Sequence, residues 1–484
     1  MLGLGLLAAP APVNADGGYY AGALGARAAG RSGAFAARAD DITAISFNPA
    51  GLANIDGPLL QVGNRFSYNT FGYTRDATAD WGHAMGGNAP TVTFSQVRNS
   101  TPGQAIEPLI GYTTHLGRPD LAVALCAFAP PGISRETFPV TGGQNYMMVR
   151  REAIILNYAA AAAWKPTEYL AFGATLEWIT VPRLIYSLVI DGSPFAGAAN
   201  PVRSDLDILA TTSGSDMFTW NAILGAWFRP LPSLEIALAG QVLPAEIATH
   251  STLTAEPLNA NFGSLVLTRN GAPANDVTVR LPLPLLARLG IRHRHWGVAR
   301  ELFDLELDLE YETWSRVRRF SVETRGLEAN LQGQVVKLDR IDIDKHWRNT
   351  LTAKLGGDVL LIPDRLTARA GLFYETAVAD PSYALVDFPS GPQLGGSVGL
   401  SWLMPRWELA VAYQLRLQQS IHVAEADARV YQQVPGSACQ APYTDPGTCN
   451  PHYLGQLAPA VNAGRYQAQS HFLSLALLYR FGGP

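Results

Sequence analysis

Nowhere in its 484 residues does this chain offer an apolar run long enough to cross a bilayer as a helix, which takes roughly 18 residues or more. The best stretch, Ala153 to Trp164 (AIILNYAAAAAW), is too short and follows Arg150, Arg151 and Glu152. A helical membrane protein is thereby disfavoured. Charge is scarce as well: 16% of residues are charged, against roughly 25% in soluble domains. The formal net charge of −4 leaves no surplus of either sign, so neither nucleic acid nor an acidic substrate is expected as partner. Cysteine is nearly absent, with three in the chain. Cys126 sits in an apolar run and reads as a small side chain, buried or facing lipid. Cys439 and Cys449 lie in a polar, Pro/Gly-rich loop, where they either close a disulfide in an oxidising compartment or remain thiols.

Chemical motifs are missing too. There is no phosphate-cradling loop and no zinc-type cysteine pair, so no cofactor and no metal are expected, and transport would have no nucleotide to drive it. Gly395-Gly396-Ser397-Val398-Gly399 matches the hydrolase pattern G-x-S-x-G. That pattern needs a strand, a sharp turn and a helix, whereas here it lies inside one strand and another follows. His293 and His295 share a strand face but lack further metal ligands nearby in sequence. The chain is not expected to be an enzyme.

What is plentiful is hydrophobic sequence, 48%, with 10% aromatic residues and 46 glycines. Two soluble domains would be the default at this length, and a membrane barrel is the other way to use so much apolar sequence. Residues 301 to 314, ELFDLELDLEYETW, bear on the choice. Phe303, Leu305, Leu307, Leu309 and Tyr311 occupy one parity, and Asp304, Glu306, Asp308, Glu310 and Glu312 the other. A period of two gives a strand with one oily and one charged face; as a helix the acids would scatter all round. The pattern recurs in DRLTARAGLFYET, RWELAVAYQLRLQ and HFLSLALLYRF. These strands exceed the soluble average of about five or six residues and approach the 9–11 or so of membrane strands. Trp and Tyr at strand ends point the same way.

The expected fold is all-β: a fourteen-stranded antiparallel transmembrane β-barrel. The strands are placed at roughly 58–74, 104–117, 119–130, 146–164, 167–190, 217–229, 232–252, 277–294, 301–323, 347–362, 364–379, 391–404, 406–424 and 467–481. Short turns alternate with long connections at about 191–216, 253–276, 324–346 and 425–466. With the charged faces inward, Asp304, Glu306, Asp308 and Glu310 would be balanced in the lumen by Lys354, Arg369, Arg416 and Arg480. The plainer alternative is that these charges face bulk water.

Two segments precede the barrel, which is assigned to 58–484. Residues 1–15 read as the remainder of a secretory signal peptide, with Val13-Asn14-Ala15 as a cleavage-like site and no Lys or Arg ahead of the apolar run. Residues 16–57 are rich in Ala and Gly and do not alternate. They are too few to form a domain, and a barrel of fourteen strands has room for an internal plug.

Here a resemblance becomes specific. SFNPAGLANI (Ser46 to Ile55), preceded by GRSGAFAARADD (Gly30 to Asp41), resembles the N-terminal hatch of the FadL family of outer-membrane long-chain fatty acid and hydrocarbon transporters, with Asn48, Pro49 and Ala50 matching its Asn-Pro-Ala signature. APPGISRETFP (Ala129 to Pro139) is similar to the segment after that family's kinked third strand, and LPLPLLARLGIR (Leu281 to Arg292) to its LPxxLxLG strand. Tyr311 and Trp314 fall where the family has an aromatic–Trp pair. The resemblance runs from about Gly17 to Phe481, although Phe481 is followed by Gly-Gly-Pro rather than standing last.

The resemblance implies a hatch inside the lumen of a monomeric barrel in the outer membrane of a Gram-negative bacterium. It also implies help from the barrel-assembly machinery, contact with outer-membrane lipid, and passive transport of a hydrophobic small molecule. Capture would be in an apolar groove, with release sideways through an interrupted strand. Pro130 and Pro131 remove two ladder donors and Gly132 relaxes the backbone, so the gap is expected there, unless Pro-Pro-Gly merely ends a strand. In the hatch, Asn48-Pro49 is expected to form a self-capped turn, and Phe35 and Phe47 either touch ligand or pack against the wall. The rival readings are an outer-membrane lipid hydrolase and an adhesive or structural barrel.

Overall fold

The computed structural model describes residues 22–79, 91–132, 135–191, 207–259, 263–298, 300–331, 334–388, 391–430, 452–453, 456–457 and 460–481. Fourteen antiparallel strands form one closed sheet. They are β1 (Leu59–Arg75), β2 (Gly103–Thr114), β3 (Leu121–Phe128, resuming at Arg135–Thr137), β4 (Arg150–Thr167) and β5 (Leu170–Asp191). Next come β6 (Asp207–Leu231), β7 (Leu234–Gln241 and Glu246–Pro257), β8 (Asp276–Pro282 and Leu286–Trp296), β9 (Glu301–Glu312 and Arg319–Leu331) and β10 (Gln334–Asp344 and Thr350–Ile362). The last four are β11 (Leu366–Glu375), β12 (Gln393–Leu403), β13 (Trp407–Gln418) and β14 (Gly464–Arg480). Closure is direct: β1 pairs with β14 from Leu59↔Arg480 to Arg75↔Gly464 without a break in register. No helix among the described residues is long and apolar enough to cross a membrane; the strands do so.

Alternation becomes sidedness. On β9, Leu305 and Leu307 are 49% and 42% exposed, while Glu306 and Asp308 are fully buried. In a closed cylinder the exposed parity is the outer wall, and the buried parity is the interior. Rings gather on the outer wall. Tyr158, Trp178 and Trp220 run across three neighbouring strands at 5.2 and 6.4 Å, and Tyr112, Phe481, Tyr479 and Trp407 form a second row near the short turns. Such rows suit the two interfaces of a bilayer. The alanine run of β4 also resolves by parity, with Ala159, Ala161 and Ala163 facing in and Ala160 and Ala162 out.

Several expected boundaries need correction. The strand placed at 301–323 is broken by a 3₁₀ turn at Trp314–Arg316, and the connection placed at 324–346 is largely a hairpin of Arg319–Leu331 with Gln334–Asp344. The hairpin was hidden because Arg325 and Gly326 adopt left-handed φ (53° and 76°) and shift the register between Glu323 and Leu327, which inverts the parity halfway along. Similarly, β6 begins at Asp207 rather than 217, its alternation disrupted by register shifts between Gly214 and Thr219. Breaks at 242–245 and 283–285, each holding a proline (Pro244, Pro284), divide the strands placed at 232–252 and 277–294. Most of 425–466, with Cys439 and Cys449, lies outside the described residues, as do residues 1–15. Cys126 is a buried free thiol on the inner face.

Candidate functional site

The first component is residues 22–57. They form two single-turn helices, α1 (Ala26–Ala29) and α2 (Ala44–Phe47), and a 3₁₀ segment, Pro49–Asn54. These residues bond to inward-facing groups on strands all round the ring. Ile42 N–H donates to Gln61 of β1 (3.1 Å), Thr175 of β5 donates to Ile45 O (2.8 Å), and Ser32 N–H donates to Ser397 of β12 (2.7 Å). The wall opposite them is built of small residues such as Ala122, Ala161, Ala171, Ala410 and Ala476, leaving space that large side chains would have filled.

The acids of β9 hold this segment. The Asp308 carboxylate accepts the N–H groups of Phe35 (2.8 Å) and Ala36 (2.9 Å); Glu306 accepts those of Ala37 (2.6 Å) and Arg38 (3.3 Å). Arg31, fully buried, meets Asp304 and Asp358 at 2.7 Å and Glu306 at 2.9 Å. Arg38 reaches Asp304 at 2.7 Å. The expected balance of charge on the lumenal parity therefore needs correction. Of the four bases named from the sequence, Lys354 alone joins these β9 acids, at 2.7 Å from Glu310. Arg369 pairs with Asp358 (2.9 Å), Arg416 with Glu375, and Arg480 lies 3.8 Å from Glu408. The N-terminal segment supplies what those strands were expected to supply, together with Arg288 and Arg292 of β8 at 2.7 Å from Glu310 and 2.6 Å from Asp304. Arg27, Arg31 and Arg38 could have been singled out as the three basic residues of an Ala/Gly-rich segment.

Asn48 caps its own turn: its side-chain oxygen accepts Ala50 N–H at 3.2 Å, and its amide donates to Ala36 O and Ala226 O, both at 3.1 Å. Pro49 begins the 3₁₀ turn, where its missing N–H costs nothing. The turn lies so close to the wall that a Cβ on Gly173 would collide with the Pro49–Ala50 backbone, and one on Gly225 with the Asn48 side chain. Gly173→Leu should therefore displace this turn at an overpacking cost of about 1–3 kcal/mol. Limited trypsin digestion should then cut at Arg38 in the variant and not in the parent, with the barrel still closed. Phe35 and Phe47 pack edge-to-face at 5.6 Å; Phe47 lines a lumenal chamber.

The second component is an apolar chamber of about 370 Å³ within the ring. Its walls include Ile155, Leu184, Leu253, Val279, Phe320 and Phe388. Pro130, Pro131 and Gly132 are on its rim, together with Ala153–Leu156 of β4. There the β3–β4 ladder is interrupted among the described residues, with Gly132 itself in a β-bridge. The β3–β4 ladder runs from Leu121↔Trp164 to Phe128↔Asn157, then resumes at Arg135↔Glu152. Between them, four β4 residues, Ala153 to Leu156, have no pairing on the β3 side among the described residues. Arg65, paired with Glu107, donates to Gly132 O at 3.3 Å and braces the loop from inside. Beside this chamber, over the N-terminal segment, lies a smaller polar one of about 110 Å³, whose lining includes Phe47, Asn157, Glu177, Asn221 and Arg288.

The features set aside from the sequence fall elsewhere. Ser397 is inside β12 and bonded to Ser32, with no helix after it. His293 and His295 are on the exposed face, His295 stacked on Phe303 at 4.6 Å.

A closed, oily-walled cylinder of fourteen strands with a buried N-terminal segment and an apolar interior defines the class: an outer-membrane transport barrel. The particular family follows from sequence. Residues 8–444 match the family described as outer membrane protein transport protein (OMPP1/FadL/TodX), and the chain belongs to it. It is a barrel of the Gram-negative outer membrane in a family of transport proteins, not of enzymes. Solved structures share the fold at low identity. A FadL homologue from Pseudomonas aeruginosa is 16% identical with a TM-score of 0.70, covering 98% of this chain and 100% of that one. The Pseudomonas putida toluene transporter TodX is 13% identical with a TM-score of 0.61, covering 96% and 99%. The Ralstonia pickettii toluene transporter TbuX is 14% identical with a TM-score of 0.59, covering 95% and 99%. No curated protein matches the chain in sequence.

Proposed function

We propose that this barrel passes hydrophobic small molecules, long-chain fatty acids or similar lipids and hydrocarbons, through the outer membrane without an energy source. The solute is captured in the apolar chamber, stopped below by residues 22–57 acting as a hatch, and released sideways through the break in β3. The observation that carries this reading is the coincidence of chamber and break: Pro130, Pro131 and Gly132 are at once the rim of the cavity and the interruption of the ladder. Lateral exit needs a gap in strand hydrogen bonding, and prolines cannot fill one. An apolar solute so delivered moves directly into hydrocarbon and never meets bulk water.

One detail favours an uncharged solute over a carboxylate. The cation lining the apolar chamber, Arg151, is already 3.2 Å from Glu136. A ligand carboxylate there would have to break that pair or stay unneutralised. The test is uptake of labelled hexadecanoate and labelled toluene by cells whose lipopolysaccharide outer membrane carries the protein or lacks it. Uptake of at least one should rise several-fold with the protein and survive an energy poison; no rise for either would overturn the proposal.

A further inference from the structure

The inner wall beside the break in β3 carries polar groups that neither the hatch contacts nor the charge balance uses. Glu177 of β5 stands directly opposite Asn221 of β6, and its carboxyl accepts the Asn221 amide at 2.8 Å. Asn157 of β4 is on the same face, one diagonal step away, since Asn157 pairs with Ile179 and Ala159 with Glu177. All three are at least nine-tenths buried and line the small chamber; Asn157 also lines the apolar one. No ion pair reaches Glu177 among the described residues. The side-chain oxygens of Asn157 and Asn221 are buried without a hydrogen-bond partner among the described residues. The orientation of Asn221 follows from its neighbour, because flipping the amide would set its oxygen against the carboxyl.

We infer that Asn157, Glu177 and Asn221 form a hydrogen-bond-acceptor subsite that binds the hydroxyl of an otherwise apolar solute, a phenol or an alcohol. The inference rests on the transport reading and deepens it. Buried acceptors without donors are costly, and a ligand O–H relieves that cost where a hydrocarbon cannot. The carboxyl also repels a ligand carboxylate. Of the other charges of the small chamber, Arg288 and Lys354 are committed to Glu310 and Arg416 to Glu375, while Glu312 accepts from Trp314 and Thr350. The subsite adjoins Pro130 and Pro131 in the same chamber, so a solute anchored by its hydroxyl would place its apolar body against the break.

The experiment compares ethylbenzene, 4-ethylphenol and 4-ethylbenzoate, which differ in one substituent. Binding is measured to the full-length protein in lipid nanodiscs against empty discs, and uptake is measured in cells with an intact lipopolysaccharide leaflet. The phenol should bind about tenfold more tightly than the hydrocarbon, as one well-placed hydrogen bond to a buried carboxyl predicts, and the benzoate most weakly. In the Glu177→Leu/Asn221→Leu variant the phenol should fall to the hydrocarbon's affinity while the hydrocarbon keeps its own; Glu177→Gln, which retains an acceptor, should keep part of the preference. Equal affinity of the parent protein for phenol and hydrocarbon, or preference for benzoate, overturns the subsite while hydrocarbon uptake leaves the channel standing. Failure of all three to enter the cells overturns the transport reading and the subsite with it.

Discussion

Replacing Pro130, Pro131 and Gly132 with Thr, Val and Thr should slow uptake of a hydrophobic solute about thirtyfold while the barrel stays folded. The new residues restore two N–H donors; because the N–H groups of consecutive strand residues point to opposite neighbours, one of them faces Ala153 to Leu156, the four β4 residues that lack β3 partners among the described residues. One hydrogen-bonded pair, with two ladder bonds at about 1 kcal/mol each, would favour the zipped wall by about 2 kcal/mol, which is roughly thirtyfold in the open population. Folding should not suffer, because the ladders on both sides are already formed; they differ in register by two residues, an offset that a bulge would absorb. Retention of the heat-sensitive electrophoretic mobility of a closed barrel would establish that the fold is kept. Uptake by that folded variant at the parent rate would mean the solute leaves by another path.

That break was visible in the sequence because proline and glycine act through the backbone, and their effect on a ladder does not depend on what surrounds them. The period of two on β9, β11, β13 and β14 was legible for a similar reason. Each of those strands separates a lipid face from an interior face along its full membrane span. Legibility failed where the backbone changes hand. At Arg325-Gly326 one left-handed bulge inverts the parity, so Arg319–Leu331 no longer reads as a single alternating strand. The lumenal pairings were also hidden, for a different reason. Asp304 and Arg31 are 273 residues apart, and nothing local announces that a buried acid will take its partner from the N-terminal segment rather than from a neighbouring strand. The apolar chamber is the least legible feature. Leu184, Leu253, Val279 and Phe388 come from four separate elements and share a cavity only because the ring closes.

The second large effect concerns that N-terminal segment. Arg31→Met should free the N-terminal segment from the barrel wall without opening the barrel. Arg31 is fully buried and meets three carboxylates, Asp304, Glu306 and Asp358, at 2.7, 2.9 and 2.7 Å. Removing one partner of a buried ion pair costs about 3–5 kcal/mol, chiefly because the remaining charges are left uncompensated. The cost falls on the docked state, since undocking lets water reach the acids. Amide hydrogen exchange over Ala26–Phe47 should therefore accelerate by about a hundredfold or more, with the β1–β14 ladder as protected as before. Ion conductance through a single barrel in a planar bilayer should rise in parallel. Neutralising Glu306 alongside, in Arg31→Met/Glu306→Gln, should recover much of the protection, because Glu306 has its ion pair with Arg31 among the described residues, whereas Asp304 and Asp358 keep Arg38, Arg292 and Arg369. Unchanged exchange in Arg31→Met would show that the carboxylate–amide bonds of Asp308 and Glu306 to Phe35–Arg38 are sufficient to hold the segment. The clamp would then lie in the backbone of the segment rather than in its charge.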